Sequence, residues 1–165
     1  MNFLWIRLVT IAIILTPFAT YAKDRIFVTN EKSNTMSVID AETLKVEHTI
    51  DVGDRPRGIG LSPDSSELYV AISEENKIVV LDPNSLKILR DFEAGSDPET
   101  FGVHPNGNIY ISNEDDAKAS VFDPKTGKQL AEIKVGLEPE GVAVSPDGKR
   151  VIVTSESTNM LHVIK

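Results

Sequence analysis

The sequence contains no cysteine. Structural disulfides, covalent haem attachment, iron–sulfur clusters, thiol nucleophiles and a lipidated N-terminal cysteine are therefore all excluded. Tryptophan is scarce as well, because the single one is Trp5. Basic residues are outnumbered, with 17 Lys and Arg against 25 Asp and Glu and a formal net charge of -8. Nucleic acid and anionic lipid would be repelled by this charge, whereas cationic and neutral partners remain open.

The N-terminal segment 1–22 differs in composition from the rest of the chain. Arg7 is its one charged side chain, and residues 8–18 are almost wholly apolar. As a helix this apolar stretch would cover only about 16 Å, and a bilayer core needs about 30 Å. Within residues 20–22, Thr20 and Ala22 supply small side chains at the two positions that signal peptidase reads. We therefore predict a cleaved secretory signal peptide over 1–22 and a periplasmic or secreted protein. The alternative is an uncleaved anchor that also uses residues 3–6.

Four similar segments recur along the remaining chain, 23–165. They begin at Ile26, Leu68, Ile109 and Val151, so their starts lie 42, 41 and 42 residues apart. Each of the first three units also has a glycine 27 residues after its start, namely Gly53, Gly95 and Gly136. This register indicates a tandem repeat.

Each unit carries four strand signals and no helical one. In the second unit, apolar runs at 68–72 and 78–81 are separated by a polar turn. An amphipathic run at 87–92 ends before Gly95, and a fourth run at 100–103 ends in a His-Pro-Asn-Gly turn. Continuous apolar runs fit small sheets that neighbours bury on both faces, as in a β-propeller. We predict an all-β propeller of four-stranded blades. The alternative is a β-sandwich, which is less consistent with the sequence because its strands need not recur at a fixed spacing.

The repeats also share a short motif. It reads Phe27-Val28-Thr29-Asn30 and Tyr110-Ile111-Ser112-Asn113, and less closely Tyr69-Val70-Ala71-Ile72 and Ile152-Val153-Thr154-Ser155. In these residues the chain resembles the YVTN-type β-propeller repeat family. The stretches 55–58, 96–99, 113–116, 138–141 and 154–160 are similar to exported propellers found with pyrroloquinoline quinone (PQQ) dependent alcohol catabolism. That resemblance implies an accessory protein and not the quinoprotein enzyme, because the Trp-rich repeats of PQQ-binding dehydrogenases are absent.

The strands do not fill whole blades at either end of the repeat region. We label the four strands of a blade A to D from the propeller axis outward. The repeat spacing then predicts strands B, C and D of a first blade, two complete blades, and strands A, B and C of a fourth. These fourteen strands make an incomplete arc of about 3.5 blades. A seven-bladed ring would need about 290 residues, so we expect a shortened form of a longer chain that is monomeric at full length. A ring of two copies is the alternative, and it fits less well because it duplicates strands.

Antiparallel order places the D-to-A connections and the B-to-C turns on one rim of the ring, here called the first rim. Arg57, Glu99 and Glu140 share repeat position 31, counted from the first residue of each unit as zero, near the mouth of the central channel. Two acids and an arginine there would bind a polar or cationic ligand; alternatively they solvate a wet channel or pair with one another. The residues predicted to meet a protein partner or small polar ligand are Arg55, Arg57, Glu99, Asn113, Glu114, Asp115, Asp116, Glu138, Glu140, Glu156 and Asn159.

No residue set points to a metal or to catalysis. The acidic turn at 113–116 lacks the alternation of an EF-hand loop, which favours a solvated turn. His48, His104 and His162 occupy different repeat positions without metal-ligand spacing, and a turn role suffices for His104. A G-x-S-x-G elbow and a phosphate-binding glycine loop are both missing. We predict a non-enzymatic protein with no metal and no cofactor; the alternative is a lactonase-like propeller or a redox protein that holds haem noncovalently.

Overall fold

A computed structural model describes residues 24–165, which form fourteen strands and two single turns of 3₁₀-helix. The predicted signal peptide lies outside these residues. Within them, no helix has the length and apolar character needed to cross a membrane. The 3₁₀ turns are Glu31–Ser33 and Ser73–Glu75, and the strands are β1 (Arg25–Asn30), β2 (Thr35–Asp40), β3 (Val46–Asp51), β4 (Pro56–Leu61), β5 (Leu68–Ile72), β6 (Lys77–Leu81), β7 (Ile88–Glu93), β8 (Pro98–Val103), β9 (Ile109–Asn113), β10 (Lys118–Asp123), β11 (Lys128–Lys134), β12 (Pro139–Val144), β13 (Val151–Ser155) and β14 (Met160–Ile164).

The strands form four antiparallel sheets, which we number as blades 1 to 4. Their strand orders are β1-β2-β3, β4-β5-β6-β7, β8-β9-β10-β11 and β12-β13-β14. This is the predicted distribution of B-C-D, two complete blades and A-B-C, and the all-β prediction is confirmed. The number of blades in a complete ring remains a prediction.

The apolar core lies between the blades. Side chains of β5 alternate between two clusters: Leu68, Val70 and Ile72 join the cluster shared with blade 1, and Tyr69 and Ala71 join the cluster shared with blade 3. Both faces of the strand are therefore buried, which explains why the sequence reads as one apolar run and not as an alternation. Each large side chain buried in this way stabilises the fold by about 1.5–3 kcal/mol.

The innermost strands of neighbouring blades pack closely, β4 against β8 and β8 against β12. Small residues permit the approach. A Cβ built on Gly58 would lie 2.9 Å from the Thr100 Cα, and one on Gly102 would lie 2.7 Å from a Val144 methyl. The starts of the three axial strands are consequently brought within reach of each other's long side chains.

The three in-phase glycines have equivalent surroundings. Each packs against the last residue of strand B in the following blade, where a Cβ would collide. Gly53 and Gly95 also have φ values of +118° and +82°, a region that favours glycine. The Cβ distances would be 2.9 Å from Gly53 to Ile72, 2.6 Å from Gly95 to Asn113, and 2.7 Å from Gly136 to Ser155.

The opposite rim, here called the second rim, uses its acids to close its own turns. Asp64 accepts hydrogen bonds of 2.7 Å from the hydroxyls of Ser62 and Ser66, and these bonds lower the pKa of Asp64 to about 2. Asp147 accepts the equivalent 2.7 Å bond from Ser145 in blade 4. These carboxylates are committed to the backbone turns that hold them.

His104 has the turn role that its position predicts. Its Nδ1 accepts a 3.1 Å hydrogen bond from the Asn106 N–H, so the neutral ring carries its proton on Nε2. Nε2 lies 2.8 Å from the Gly148 carbonyl oxygen, to which it donates. One histidine thus closes a turn of blade 3 and ties it to blade 4.

Candidate functional site

The D-to-A connections of the first rim hold charged residues in an unusual backbone conformation. Arg55, Asp97 and Glu138 occupy equivalent positions, each directly before the proline that opens an axial strand. Their φ values are +56°, +43° and +53°. Other turns place residues such as Leu44 and Ala117 in the same region, so the positive φ marks a tight connection and does not by itself assign a role to these side chains.

Each connection is held by the B-to-C turn of the blade that follows it. The N–H of the first turn residue donates to the carbonyl of the positive-φ residue in all three cases. The distances are 3.1 Å from Ser73 to Arg55, 3.0 Å from Glu114 to Asp97, and 2.8 Å from Glu156 to Glu138.

An asparagine at the end of the preceding turn supports the same connection. Asn34 Oδ1 accepts a 3.1 Å bond from the Arg55 N–H, and Asn76 Oδ1 accepts a 2.9 Å bond from the Asp97 N–H. Asn159, a predicted site residue, is the fourth-unit counterpart of Asn34 and Asn76. A structural role like that of Asn34 and Asn76 is therefore enough to explain the asparagine at position 159, and no ligand is needed.

The connections and turns bring seven charged residues together, which we name the axial cluster. Blade 1 contributes Glu31, blade 2 and its leading connection contribute Arg55 and Arg57, blade 3 contributes Asp97, Glu99 and Glu114, and blade 4 contributes Glu140. The Arg55 guanidinium lies 3.3 Å from Glu31, 3.2 Å from Asp97 and 3.2 Å from Glu99. The Arg57 guanidinium lies 2.9 Å from Glu31 and 3.6 Å from Glu140, and it contacts Glu99 directly. The three residues at repeat position 31 therefore do meet, as the repeat geometry predicts.

Glu99 lies at the buried centre of this cluster, with 0% of its surface exposed. Burial raises the pKa of Glu99 to about 7, outweighing the attraction of Arg57, and the Glu140 charge adds to the rise. Ion pairs with the two arginines hold the carboxylate, yet neither oxygen accepts a hydrogen bond of regular geometry from residues 24–165.

Glu31 meets the same arginines from the solvent side, where 42% of its side chain is exposed. A hydrogen bond from Arg55, together with the charge of Arg57, lowers the pKa of Glu31. Glu31 and Glu99 contact the same two guanidinium groups, yet their pKa values are shifted in opposite directions, because Glu99 is buried and Glu31 is exposed to solvent.

Carboxylates outnumber guanidiniums in the axial cluster by five to two. Burial raises the pKa of Glu114, and the nearby charge of Asp97 raises it further. Among residues 24–165, Asp97, Glu99 and Glu114 form a triplet that could hold a metal ion, because each places a carboxylate oxygen within 4.8 Å of the others. It was not apparent from the sequence, where 113–116 alone suggested an acidic site.

Two open clefts flank the arginines. One, of about 280 Å³, is lined by Thr29, Glu31, Arg57, Glu99 and Thr100 among others. The other, of about 450 Å³, lies beside Arg55 and includes Glu31 and Asp54. A ligand on the first rim would therefore reach both guanidinium groups and the carboxylates that hold them.

A cleft of about 500 Å³ on the second rim offers less unpaired charge. Its Arg90 is bidentate with Glu67, at 2.7 and 2.9 Å, and also donates a 2.9 Å bond to the Pro124 carbonyl. Tyr69 donates a 3.1 Å bond to the same Glu67. These bonds pair the charged groups within blade 2 and join Arg90 to blade 3, so the axial cluster is the stronger candidate site.

The other predicted site residues are not drawn into the cluster. Asn113 differs from the prediction, because its side chain is fully buried and its Nδ2 donates a 2.8 Å bond to the Ala94 carbonyl. It supports a connection and is not presented at the rim. The remaining residues lie on the first rim outside the cluster: Asp115, Asp116, Glu138, Glu156 and Asn159.

Glu31 and Asp97 are the cluster members that the sequence reasoning missed. They occupy repeat positions 5 and 29, which in other units hold predicted site residues: Glu114 and Glu156 at position 5, and Arg55 and Glu138 at position 29. Because the B-to-C turn contacts the D-to-A connection in every unit, positions 5, 29 and 31 converge. Comparing all three positions across the repeats would have found both residues.

Comparison with known proteins bears on the fold alone. No protein-family model matches the chain, and no curated protein matches it. Similar solved structures include hydrazine synthase from Kuenenia stuttgartiensis (TM-score 0.78, 21% identity, covering 86% of this chain and 42% of that one), the WD40 β-propeller domain of Doa1 (0.74, 18%, 88% and 48%) and virginiamycin B lyase from Staphylococcus aureus (0.65, 15%, 87% and 53%). The chain spans about half the length of each. With its four antiparallel sheets in tandem, the chain therefore has the β-propeller fold.

Proposed function

We propose that the protein is a non-enzymatic binding or scaffold module, and that its axial cluster recognises a cationic group of a protein partner or of a small polar ligand. The observation that carries this proposal is the excess of carboxylates over guanidiniums in a partly buried cluster that all four blades build. Acids on the second rim, by contrast, close turns.

The cluster combines a fixed part with an accessible part. Arg55 and Arg57 are held by acids from two or three blades, so the frame is pre-organised. Glu31 and Glu140 leave 42% and 35% of their side chains exposed, which allows a ligand cation to approach. A cation that contacts both would be attracted by charges that the two arginines do not neutralise.

Spermidine is a suitable probe, because it presents amines without a protein surface. Isothermal titration calorimetry at low salt and pH 8 is expected to show binding, and Glu140→Gln is expected to weaken it by about fivefold, the equivalent of about 1 kcal/mol. Asp116→Asn is the matched control, because Asp116 is exposed on the same rim outside the cluster. Equal losses in the two variants, or no binding at all, would count against the axial site.

The resemblance to exported propellers supports a finer proposal, that the protein is an accessory of PQQ-dependent alcohol oxidation in the periplasm. The N-terminus of the mature protein, determined by mass spectrometry, tests export: cleavage after Ala22 is expected. Neighbouring genes for a quinoprotein dehydrogenase or a cytochrome c would strengthen the metabolic link. A locus without either would remove its basis.

An enzyme remains the second candidate, and the triplet of Asp97, Glu99 and Glu114 is the observation that favours it. Arg55 competes with a metal ion there, because its guanidinium already lies 3.2 Å from both Asp97 and Glu99. Metal analysis and visible absorbance of the purified protein separate the two classes. Stoichiometric metal or a visible chromophore would favour the enzyme.

A further inference from the structure

The A-to-B turns of blades 2, 3 and 4, on the second rim, differ at their first residue. Repeat position 36 holds Ser62 in blade 2, His104 in blade 3 and Ser145 in blade 4. Each serine hydroxyl donates a 2.7 Å bond to an aspartate of its own turn. His104 reaches the next blade instead, where its Nε2 lies 2.8 Å from the Gly148 carbonyl oxygen. The histidine ring therefore spans the space between the turns of blades 3 and 4, and the shorter serine does not span the space between blades 2 and 3.

The 500 Å³ cleft of the second rim lies at this place, between the turns of blades 2 and 3. Gly107 lines it and is the counterpart of Gly148 at repeat position 39. A Cβ built on Gly148 would lie 2.8 Å from the His104 ring, whereas one built on Gly107 would have no neighbour within 4 Å. The turn of blade 3 is also one residue shorter than the other two. Together, Ser62 and the short turn account for a cleft of the size that small ligands occupy.

The walls of this cleft resemble the surroundings of His104. The His104 ring packs beside Tyr110, with 5.9 Å between the ring centroids. Tyr69 occupies the same repeat position in blade 2, and it lines the cleft. Pro63 from the turn of blade 2 and Pro105 from the turn of blade 3 supply further apolar surface. The tyrosine and the glycine that contact the histidine ring therefore both have counterparts in the cleft, and only the ring itself has none.

The charges in the cleft leave one basic group for a ligand. Glu67 neutralises Arg90 through bonds of 2.7 and 2.9 Å, and Asp64 accepts the hydroxyl bonds that close its own turn. Lys125 lines the cleft from the C-to-D turn of blade 3 and is exposed. Its charge helps to lower the pKa of Asp123, but the two side chains form no close ion pair. The Lys125 ammonium can therefore pair with an anionic group.

We propose that the second-rim cleft binds a small planar nitrogen heterocycle that carries a carboxylate, with the ring in the place that His104 takes between blades 3 and 4. The ring N–H donates to the Gly107 carbonyl, as the His104 ring does to Gly148. The ring packs beside Tyr69, and the carboxylate pairs with Lys125. This site lies on the rim opposite the axial cluster and takes an anion and not a cation, so it does not depend on the proposed function.

Imidazole-4-acetate is a suitable probe, because it combines an N–H donor on a planar ring with a carboxylate. Its binding is measured by nuclear magnetic resonance of the ¹⁵N-labelled protein at low salt and about pH 8, where an imidazole ring is neutral. The Gly107 amide signal is expected to shift and to saturate with a Kd of about 1 mM. Imidazole without the carboxylate should bind about fivefold more weakly, and Lys125→Met should remove this difference. Glu140→Gln, in the axial cluster, should change neither value.

Ser62→His tests the position of the ring, because the new side chain would occupy the cleft as His104 occupies the space between the next two blades. Binding of imidazole-4-acetate is expected to weaken at least about tenfold. Ser145→His is the matched control: Ser145 makes the same bond in its own turn as Ser62, and it does not line the cleft. Equal affinity in wild type and Ser62→His would overturn the proposal, and so would a Gly107 amide that does not respond to the probe in the wild type.

His104→Ser provides a second test if Ser62→His does not fold. This variant gives blade 3 the serine of blade 2 and removes the ring that lies against Gly148. Imidazole is then expected to shift the Gly148 amide signal in the variant and not in the wild type, and to shift the Gly107 signal in both. A Gly148 signal that stays constant in the folded variant would show that these walls do not select a ring, and would contradict the proposal.

Discussion

Glu31 and Glu99 hold the same pair of guanidinium groups from opposite sides, one from solvent and one from the interior. They belong to blades 1 and 3, and the arginines belong to the blade between them. Arg55 ends the D-to-A connection that leads into blade 2, and Arg57 is the second residue of β4, the strand that follows it. The axial cluster is therefore both a candidate binding site and a link between blades.

Substitution of Arg55 tests whether the axial cluster stabilises the contact between blades. At pH 8, Arg55→Met leaves Asp97 and Glu99 with one fewer cation, and Glu99 is buried. We expect a loss of about 3 kcal/mol in the free energy of unfolding, measured in urea. Lys118→Met is the control, because its 3.2 Å pair with Glu132 is exposed and should contribute less than about 1 kcal/mol. Similar losses in both variants would contradict the assigned importance of the cluster.

Gly95 tests the repeat geometry. An alanine there would place a Cβ 2.6 Å from the amide of Asn113, which is buried and bonded to Ala94. Gly107 has a similar φ, +95° against +82°, but has nothing within 4 Å of an added Cβ. Gly107→Ala should cost about 1–2 kcal/mol from backbone strain alone, and Gly95→Ala a further 1–3 kcal/mol from the collision. Thermal unfolding of the two variants measures the difference; equal costs would mean that Gly95 is not in a close contact.

The third B-to-C turn offers a stabilising change. Ala117 has a φ of +51° and stands where Asn34 and Asn76 support a connection. Ala117→Asn should stabilise the protein by about 1 kcal/mol, because asparagine tolerates this conformation and its Oδ1 can accept the Glu138 N–H. Asn76→Ala should destabilise it by a similar amount. If Ala117→Asn lowers the melting temperature, the asparagine series has no supporting role.

Much of the fold follows from periodicity in the sequence. The apolar runs that begin at Leu68, Ile109 and Val151 are the strands β5, β9 and β13, because sheets buried on both faces need uninterrupted apolar segments. The rim assignment also follows, since antiparallel order fixes which turns share an end.

The details of the site follow less directly. Which of five acids occupies the interior depends on side-chain packing between blades, and the repeat does not specify it. The burial of Asn113 could have been inferred, because its counterpart in the second unit is the apolar Ile72. Glu31 could have been inferred as well, because it shares repeat position 5 with the predicted residues Glu114 and Glu156.

Glu99 is the buried carboxyl on which the axial cluster is centred, in contact with Arg55 and Arg57. The most direct test is the titration of its side-chain carboxyl carbon by nuclear magnetic resonance in ¹³C-glutamate-labelled protein, with Glu99→Gln used to assign the signal. We expect a midpoint near pH 7, well above the ordinary value of 4.5. A midpoint at or below 4.5 would show a solvated or fully compensated carboxylate and would contradict the burial of Glu99 at the centre of the cluster.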